Sequence, residues 1–428
     1  MQEREKETNI LNSLEHQLQS SGHLNPGESI PAVPQHHIAG SHIGLSVENN
    51  SVTALSLRYC ALTSLPASLD QLTHLQHLDL TGNQLTTLPE SLGNLLHLQK
   101  LYLDENQLTT LPESLGNLLH LAELHVDANH LTTLPASICR LTNLGTLRVY
   151  GNRLTTLPAD IGQLTRLTDI SIGHNQLAAL PASLWQLRHL QSLNVAENQL
   201  PSLPEQIGNL VDLHTLDAGH NELAALPASL GTLRNLTFFL YLSNNHLATL
   251  PPSLFEHLSN LVYLNLTDNQ LTSLPETIGN LANLNELRIY NNQLTTLPAS
   301  LGQLANLKEL HAMYNQLSSL PASIGNLQQL KELHVSHNRL TALPASLGQL
   351  SSLTHLDLRA NRLASLPASL GNLHYLTHLD LRANKLVTLP ASLADLPHLE
   401  KLDLRWNKLS PLPHWLPQLA QRGCTVFL

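Results

Sequence analysis

The sequence predicts an α/β fold of the solenoid class: a right-handed horseshoe with a concave parallel β-sheet and short helical or 3-10 turns on the convex side. Three observations predict it. The frame Leu75-x-x-Leu78-x-Leu80-x-x-Asn83-x-Leu85-x-x-Leu88-Pro89 recurs over roughly residues 52 to 411, in about 16 copies. Its period is 23 residues, lengthened to 24 twice, which is the spacing of a stacked supersecondary unit. Within each copy, strand-like alternation at Leu78 and Leu80 gives way to a proline-led turn such as Pro89-Glu-Ser-Leu-Gly93.

Each part of the unit has a physical role. Leu78 and Leu80 lie on one apolar face of a short strand. Asn83, repeated at Asn106, Asn129 and onward to Asn407, turns inward, where its amide can satisfy backbone groups of neighbouring coils. Only Cys60, in the first copy, replaces it. Leu85 and Leu88 return to the core, and Pro89, without an N–H, ends the pairing and starts the turn. Gly93 is expected to close that turn in a left-handed conformation. No coil buries its leucines alone, but coils stacked with strands about 4.8 Å apart share one core.

Taken in order, the chain divides into 1–41, 42–411 and 412–428. Residues 8–20 pattern as an amphipathic helix, with Ile10, Leu11, Leu14 and Leu18 on one side and Ser21-Gly22 as the stop. Asn25 to Gly40 is a linker whose Pro26, Pro31 and Pro34 forbid a long regular element. His42 to Val47 is expected as an extra strand covering the open first coil. Between Leu236 and Leu242 the sequence LTFFLYL has one residue more than the frame allows, which resembles a bulge. A tolerated insertion with phenylalanines filling the convex side and a change of curvature separating two binding surfaces are both open. Trp415, Leu416, Leu419 and the final Gly423 to Leu428 are expected to fold back as a cap. Cys424 there is expected to pack rather than act as a nucleophile.

The frame Leu-x-x-Leu-x-Leu-x-x-Asn resembles the leucine-rich repeat family. The opening, G-L-S-V-E-N-N followed by V-T-A-L-S-L-R-Y-C, resembles free-standing prokaryotic members. The unit L-P-A-S-L-G-Q-L is similar to repeats of Ras-associated scaffolds, plant intracellular Ras-group proteins and Roco proteins. The resemblance implies a non-enzymatic scaffold for protein–protein interaction in intracellular signalling, with a small GTPase or a host protein as partner. The alternative is a bacterial effector exported without a cleaved signal, with or without an unrecognised activity. The Roco GTPase activity does not carry over, since no G-x-x-x-x-G-K-[ST] is present.

Composition restricts partners. A net charge of −10 and the lack of a Lys/Arg run argue against nucleic acid. Cys60, Cys139 and Cys424 are too few for the paired caps of secreted family members, so reduced thiols are expected. The expected state is a cytoplasmic monomer with no membrane span and no cofactor.

Function is then sought where the coils differ. Tyr59, Tyr102, Tyr150, Tyr241, Tyr263, Tyr290 and Tyr314, with Met313, fall at variable positions assigned to the outward side of the strands. Tyrosine, methionine and arginine are enriched at protein interfaces, although tyrosine is also simply tolerated on strands. One candidate surface on the concave face comprises Tyr263, Arg288, Tyr290, His311, Met313, Tyr314 and His334, flanked by Glu286, Glu309 and Glu332. A second is a ladder of Asp357, Asp380 and Asp403 beside Arg359, Arg382 and Arg405, with Trp406. It is either a self-paired solvated face or a contact site. A third comprises Tyr102, His125, Arg148 and Tyr150, with Asp104, Glu105 and Asp127. His125 with Asp127, or His311 with His334, admits a metal, but no CxxC or HExxH accompanies them, and none is expected.

Overall fold

The computed structural model describes residues 2–428 and divides into two compact units, Met1–Leu200 with Asn209–Leu213 and Pro201–Gly208 with His214–Leu428. In the first unit, β1 (Ile43–Glu48) and β2 (Ser51–Leu57) form an antiparallel hairpin. Its turn is Asn49-Asn50 at φ 52° and 65°, the left-handed pair that matches the twist of two strands. β2 then opens a run of parallel three-residue strands from β3 (His77–Asp79) to β8 (Ser192–Asn194). The register is unshifted, so Leu55, Leu78, Leu101, Leu124, Leu147, Ile170 and Leu193 make one buried row. The second unit carries β9 (Thr215–Asp217) through β18 (Thr425–Phe427), again all parallel.

Behind the strands, 3-10 helices such as Glu90–Asn94 begin directly after the repeat proline, which sits at φ −70°. Gly93 does not take the left-handed conformation expected of it; the positive-φ glycines are Gly22, Gly27, Gly82, Gly151 and Gly423. Close approach explains it instead. A Cβ on Gly93 would stand 2.3 Å from the Ser114 carbonyl oxygen of the next coil. The left-handed residue lies elsewhere, directly before the asparagine, as at Glu105, Ala128, His174, Asp268 and Tyr314.

That twist swings each asparagine inward. Oδ1 of Asn83 accepts from the N–H groups of Cys60 at 3.1 Å and Leu62 at 3.0 Å, and its Nδ2 donates to the carbonyls of Leu57 at 2.7 Å and Leu80 at 2.8 Å. The same pattern recurs down to Asn407. Cys60 has no coil before it to bridge, and its Sγ lies 3.3 Å from the Arg58 carbonyl.

The ends are packed. α1 (Gln2–Ser20) starts well before the residues whose pattern is helical and buries Ile10, Leu14 and Leu18 against the first turn and β2. The proline-rich stretch after it lies along β1: Ala32 bridges Leu45, and Gln35–Gly40 is a 3-10 turn. At the other end β18 pairs with β17 (Lys401–Asp403), and Trp415, Leu416 and Leu419 are buried around α2 (Leu416–Gln421). The extra residue of LTFFLYL sits at Thr237-Phe238, ahead of β10 (Phe239–Tyr241), which keeps register with both neighbours. The phenylalanines do not all fill the convex side: Phe255 is fully buried, whereas Phe238 and Phe239 face outward, 55% and 40% exposed.

Asn269 tests the ladder. It receives Leu247 N–H at 3.1 Å and donates to Leu242 and Leu266 carbonyls at 2.9 and 3.1 Å. Asn269→Ala leaves these buried groups unpaired and is expected to cost about 1–3 kcal/mol in urea unfolding. An unchanged midpoint would remove the ladder from this account of stability.

Candidate functional site

A three-residue strand with a buried centre offers two outward positions, its first and third. In the second unit the first positions form the row Phe239, Tyr263, Glu286, Glu309, Glu332, His355, His378, Lys401. The third positions form the row Asp217, Tyr241, Asn265, Arg288, His311, His334, Asp357, Asp380, Asp403.

Of the residues singled out in the sequence, Tyr102, His125, Arg148, Tyr263, Arg288, His311 and His334 are on strands. Tyr150, Tyr290, Met313, Arg359, Arg382 and Arg405 are not; each lies two residues past its strand. Tyr314 and Trp406 occupy the left-handed turn, at φ 52° and 60°. Where the third position is aspartate or asparagine, its side chain caps the backbone that follows the strand. Asp357, for instance, accepts the N–H of Arg359 at 3.1 Å, and Asp380 that of Arg382 at 3.0 Å.

The first-unit cluster is largely self-satisfied. The Tyr102 hydroxyl donates to Glu123, which also holds Lys100 at 2.7 Å, and the Tyr102 ring stacks 4.5 Å from His125. Arg148 pairs with Asp127 at 3.1 Å, and the Tyr150 hydroxyl donates to Glu197 at 2.8 Å. Burial pushes the Asp104 carboxyl up to about 7, and burial also lowers His125, 3.9 Å away, so the two do not form a firm ion pair.

The charged ladder of the second unit is also paired within itself. Arg382 bonds Asp380 and reaches Asp403 at 3.3 Å, while Arg405 holds Asp403 at 2.6 Å and lies over the rings of Trp406 and Phe427. Arg359 shows no such pairing, and its Nε is buried without a hydrogen-bond partner. Trp406 is 72% exposed.

Further along, His311 and His334 stack at 4.8 Å, each Nε2 turned to its own strand's glutamate, Glu309 at 3.2 Å and Glu332 at 3.0 Å. Burial lowers His311 from its ordinary range, which favours the neutral ring. Glu286, Glu309 and His311 bring ligand atoms within 4.8 Å of one another, a spacing that a divalent cation fits. Arg288, however, is bonded to Glu286 and supplies the positive charge there.

The feature that pattern reading missed is aromatic. Phe239, Tyr241 and Tyr263 lie with ring centroids 5.0 to 5.9 Å apart, Phe238 is 6.4 Å from Phe239, and the Arg288 guanidinium is 5.9 Å from the Tyr263 centroid. The available signal was the extra residue in LTFFLYL, which places two phenylalanines beside a strand. Catalysis at a thiol has no support in the geometry: burial raises Cys60 to about 11 and also raises Cys139 and Cys424.

Stacked coils of strand, inward asparagine and 3-10 turn define a repeat protein of the solenoid class. The family profile described as leucine-rich repeat region matches residues 90–182, 252–343 and 301–379, and a second leucine-rich repeat profile matches 50–108 and 361–409. A leucine-rich repeat protein of Leptospira interrogans is 37% identical with TM-score 0.79, over 87% of this chain and 94% of that one. The chain belongs to the leucine-rich repeat family. It is also similar to Toll of Drosophila, solved in complex with Spatzle, at 28% identity and TM-score 0.69, over 82% of this chain and 50% of that one. A further similarity is to the Arabidopsis receptor kinase HAESA, solved with the peptide hormone IDA and the co-receptor SERK1. It has 27% identity and TM-score 0.65, over 85% of this chain and 72% of that one. No curated protein matches. Among the described residues, no helix is long and apolar enough to cross a membrane.

Asp104 generates a pH test. Its folded pKa, about 7, lies above the ordinary carboxyl value of 3.8, so between these the native state holds the proton more tightly. Stability contributed by this group is therefore present at low pH and lost as pH rises from about 4 through 7. Asp104→Asn is expected to reduce that decline, seen as a smaller difference between urea midpoints at pH 5 and pH 8. An unaltered difference would refute the assignment.

Proposed function

We propose that this chain is a non-enzymatic scaffold that binds a protein partner on the strand face of its second unit, centred on Phe239, Tyr241, Tyr263 and Arg288. The contact extends over Tyr290, Met313 and Tyr314, and any signalling role would follow from that contact. The observation that carries the reading is the exposed aromatic cluster. Phe238 and Phe239 leave large apolar faces in water beside two tyrosines and an arginine, on a surface whose charged side chains mostly satisfy one another. Aromatic residues and arginine contribute most of the binding energy at interfaces, because they bury much area at small conformational cost. Neighbouring parallel strands stand about 4.8 Å apart, so these residues make one patch. Support also comes from the similarity to proteins solved with bound partners, Toll with Spatzle and HAESA with IDA.

The partner would be recovered by affinity capture from native cells, and binding then measured by calorimetry. Phe239→Ala and Tyr263→Ala are each expected to weaken it by about 2 kcal/mol or more, while Gln303→Ala, exposed on the turn side, changes almost nothing. Folding stability should move little, because neither aromatic side chain belongs to the leucine core. Equal affinities for all three variants would overturn the strand-face site.

A further inference from the structure

On the strand face of the second unit, the first positions change character along one unshifted row. Phe239 and Tyr263 are followed by Glu286, Glu309 and Glu332, each in register with the next. Carboxylates stacked at strand spacing repel one another unless cations lie among them. Farther along the sheet that need is met, since Arg382 and Arg405 bond Asp380 and Asp403. The glutamate row has only Arg288, which is bonded to Glu286.

Among the described residues, Glu309 and Glu332 pair with histidines alone, His311 Nε2 at 3.2 Å and His334 Nε2 at 3.0 Å. An ionised carboxylate has no proton to give, so the imidazole N–H is the donor in each bond, and further acceptor sites on both carboxylates stay open. The bond from His334 holds the Glu332 carboxyl below the usual range, so it is charged at neutral pH. Both side chains reach solvent, 39% and 37% exposed. Lys308 and Lys331, one residue ahead of these glutamates, are exposed and form no ion pair with them. An open aromatic surface and an under-compensated acidic one therefore lie end to end in a single row.

We propose that the partner segment covering the aromatic cluster is basic: an extended stretch that seats an apolar side chain on Phe239 and Tyr263 and brings lysine or arginine to Glu309 and Glu332. This rests on the strand-face reading above and gives the partner a chemistry. Neighbouring strands stand about 4.8 Å apart, so Glu309 lies about 14 Å and Glu332 about 19 Å along the row from Phe239. An extended chain advances about 3.4 Å per residue, which sets the basic residues about four and about six positions from the apolar one. Even separations also keep all three side chains on the same face of the segment. Lysine and arginine carry donors and no acceptor, the complement of the two open carboxylates. An acidic segment would add charge to a row that already repels itself, so the surface selects against it.

The test pans a phage library of random dodecapeptides against the full chain, after depletion on Phe239→Ala. A chelator is present throughout, so that no divalent ion stands in for a cation of the peptide. Recovered peptides are expected to carry lysine or arginine about four residues from an apolar side chain. Their affinity should fall about threefold or more on Glu309→Gln or Glu332→Gln, about tenfold or more on the double variant, and comparably when the basic residue of the peptide becomes glutamine. Glutamine keeps the size of the side chain and an acceptor for the histidine, and circular dichroism checks that each variant is folded. Gln303→Ala should leave affinity unchanged. Peptides that require Phe239 but carry no basic residue, or that are indifferent to the double variant, would overturn this inference and leave the strand-face reading standing. Recovery of no peptide that prefers the natural chain to Phe239→Ala would overturn both.

Discussion

The stack depends on one side-chain amide per coil. Leucines make stacking favourable, but a leucine contact is tolerant of sliding and says little about how one coil sits on the next. The segment after each strand also carries buried N–H and C=O groups that no ladder reaches, and burying them unpaired would be costly. The asparagine answers both needs. Its Oδ1 accepts from the coil before, as from Leu85 N–H to Asn106 at 3.1 Å, and its Nδ2 bridges that coil and its own, to the Leu80 and Leu103 carbonyls at 3.0 Å each. Aspartate would lack the donors and leucine would lack both. The substitution at Cys60 fits this reading, since an amide there would have no coil to reach back to.

Pointing the asparagine inward fixes the residue ahead of it. That residue must turn left-handed, and the chain accepts this strain at glutamate, alanine, histidine, tyrosine and tryptophan alike, from Glu105 to Trp406. The outcome is a position that is uniform in backbone and free in side chain. Tyr314 and His337 occupy it in successive coils, with rings stacked at 4.2 Å. Conformation is set by the asparagine and chemistry is left open, which is how a monotonous scaffold acquires a variable surface.

These constraints explain what the sequence shows and what it hides. Period, strand face and inward asparagine are legible because they recur with unchanged spacing. Gly93 is legible as a glycine but not in its reason: left-handed backbone and a close neighbour both call for a missing Cβ, and only the 2.3 Å approach to Ser114 distinguishes them. Tyr290, Met313 and Arg382 read as strand residues because the alternation in L-x-L-x continues past the strand. At Arg382 the strand gives way to a cap from Asp380, which acts between residues two apart and leaves no break in that alternation. Phe238 and Phe239 look like filling for an enlarged coil, and Phe255 does fill it, but sequence alone cannot tell which aromatics an inserted residue turns outward.

The same physics ranks the surfaces. Like charges stacked on neighbouring parallel strands repel, so Asp380 and Asp403 persist because Arg382 and Arg405 lie among them, while Asp357 accepts the backbone N–H of Arg359. Arg382 serves two aspartates, and Asp403, almost wholly buried, is held below the usual carboxylate range despite burial because Arg405 and Arg382 bond to it. A partner docking there would have to replace bonds already made, and its net gain would be small. The aromatic cluster has no such prior commitment. Its rings touch one another at their edges but leave Phe238 and Phe239 in water, so covering them removes apolar area without breaking a hydrogen bond. Arg288, held in place by Glu286 beside Tyr263, then gives direction to a contact whose affinity comes from the rings.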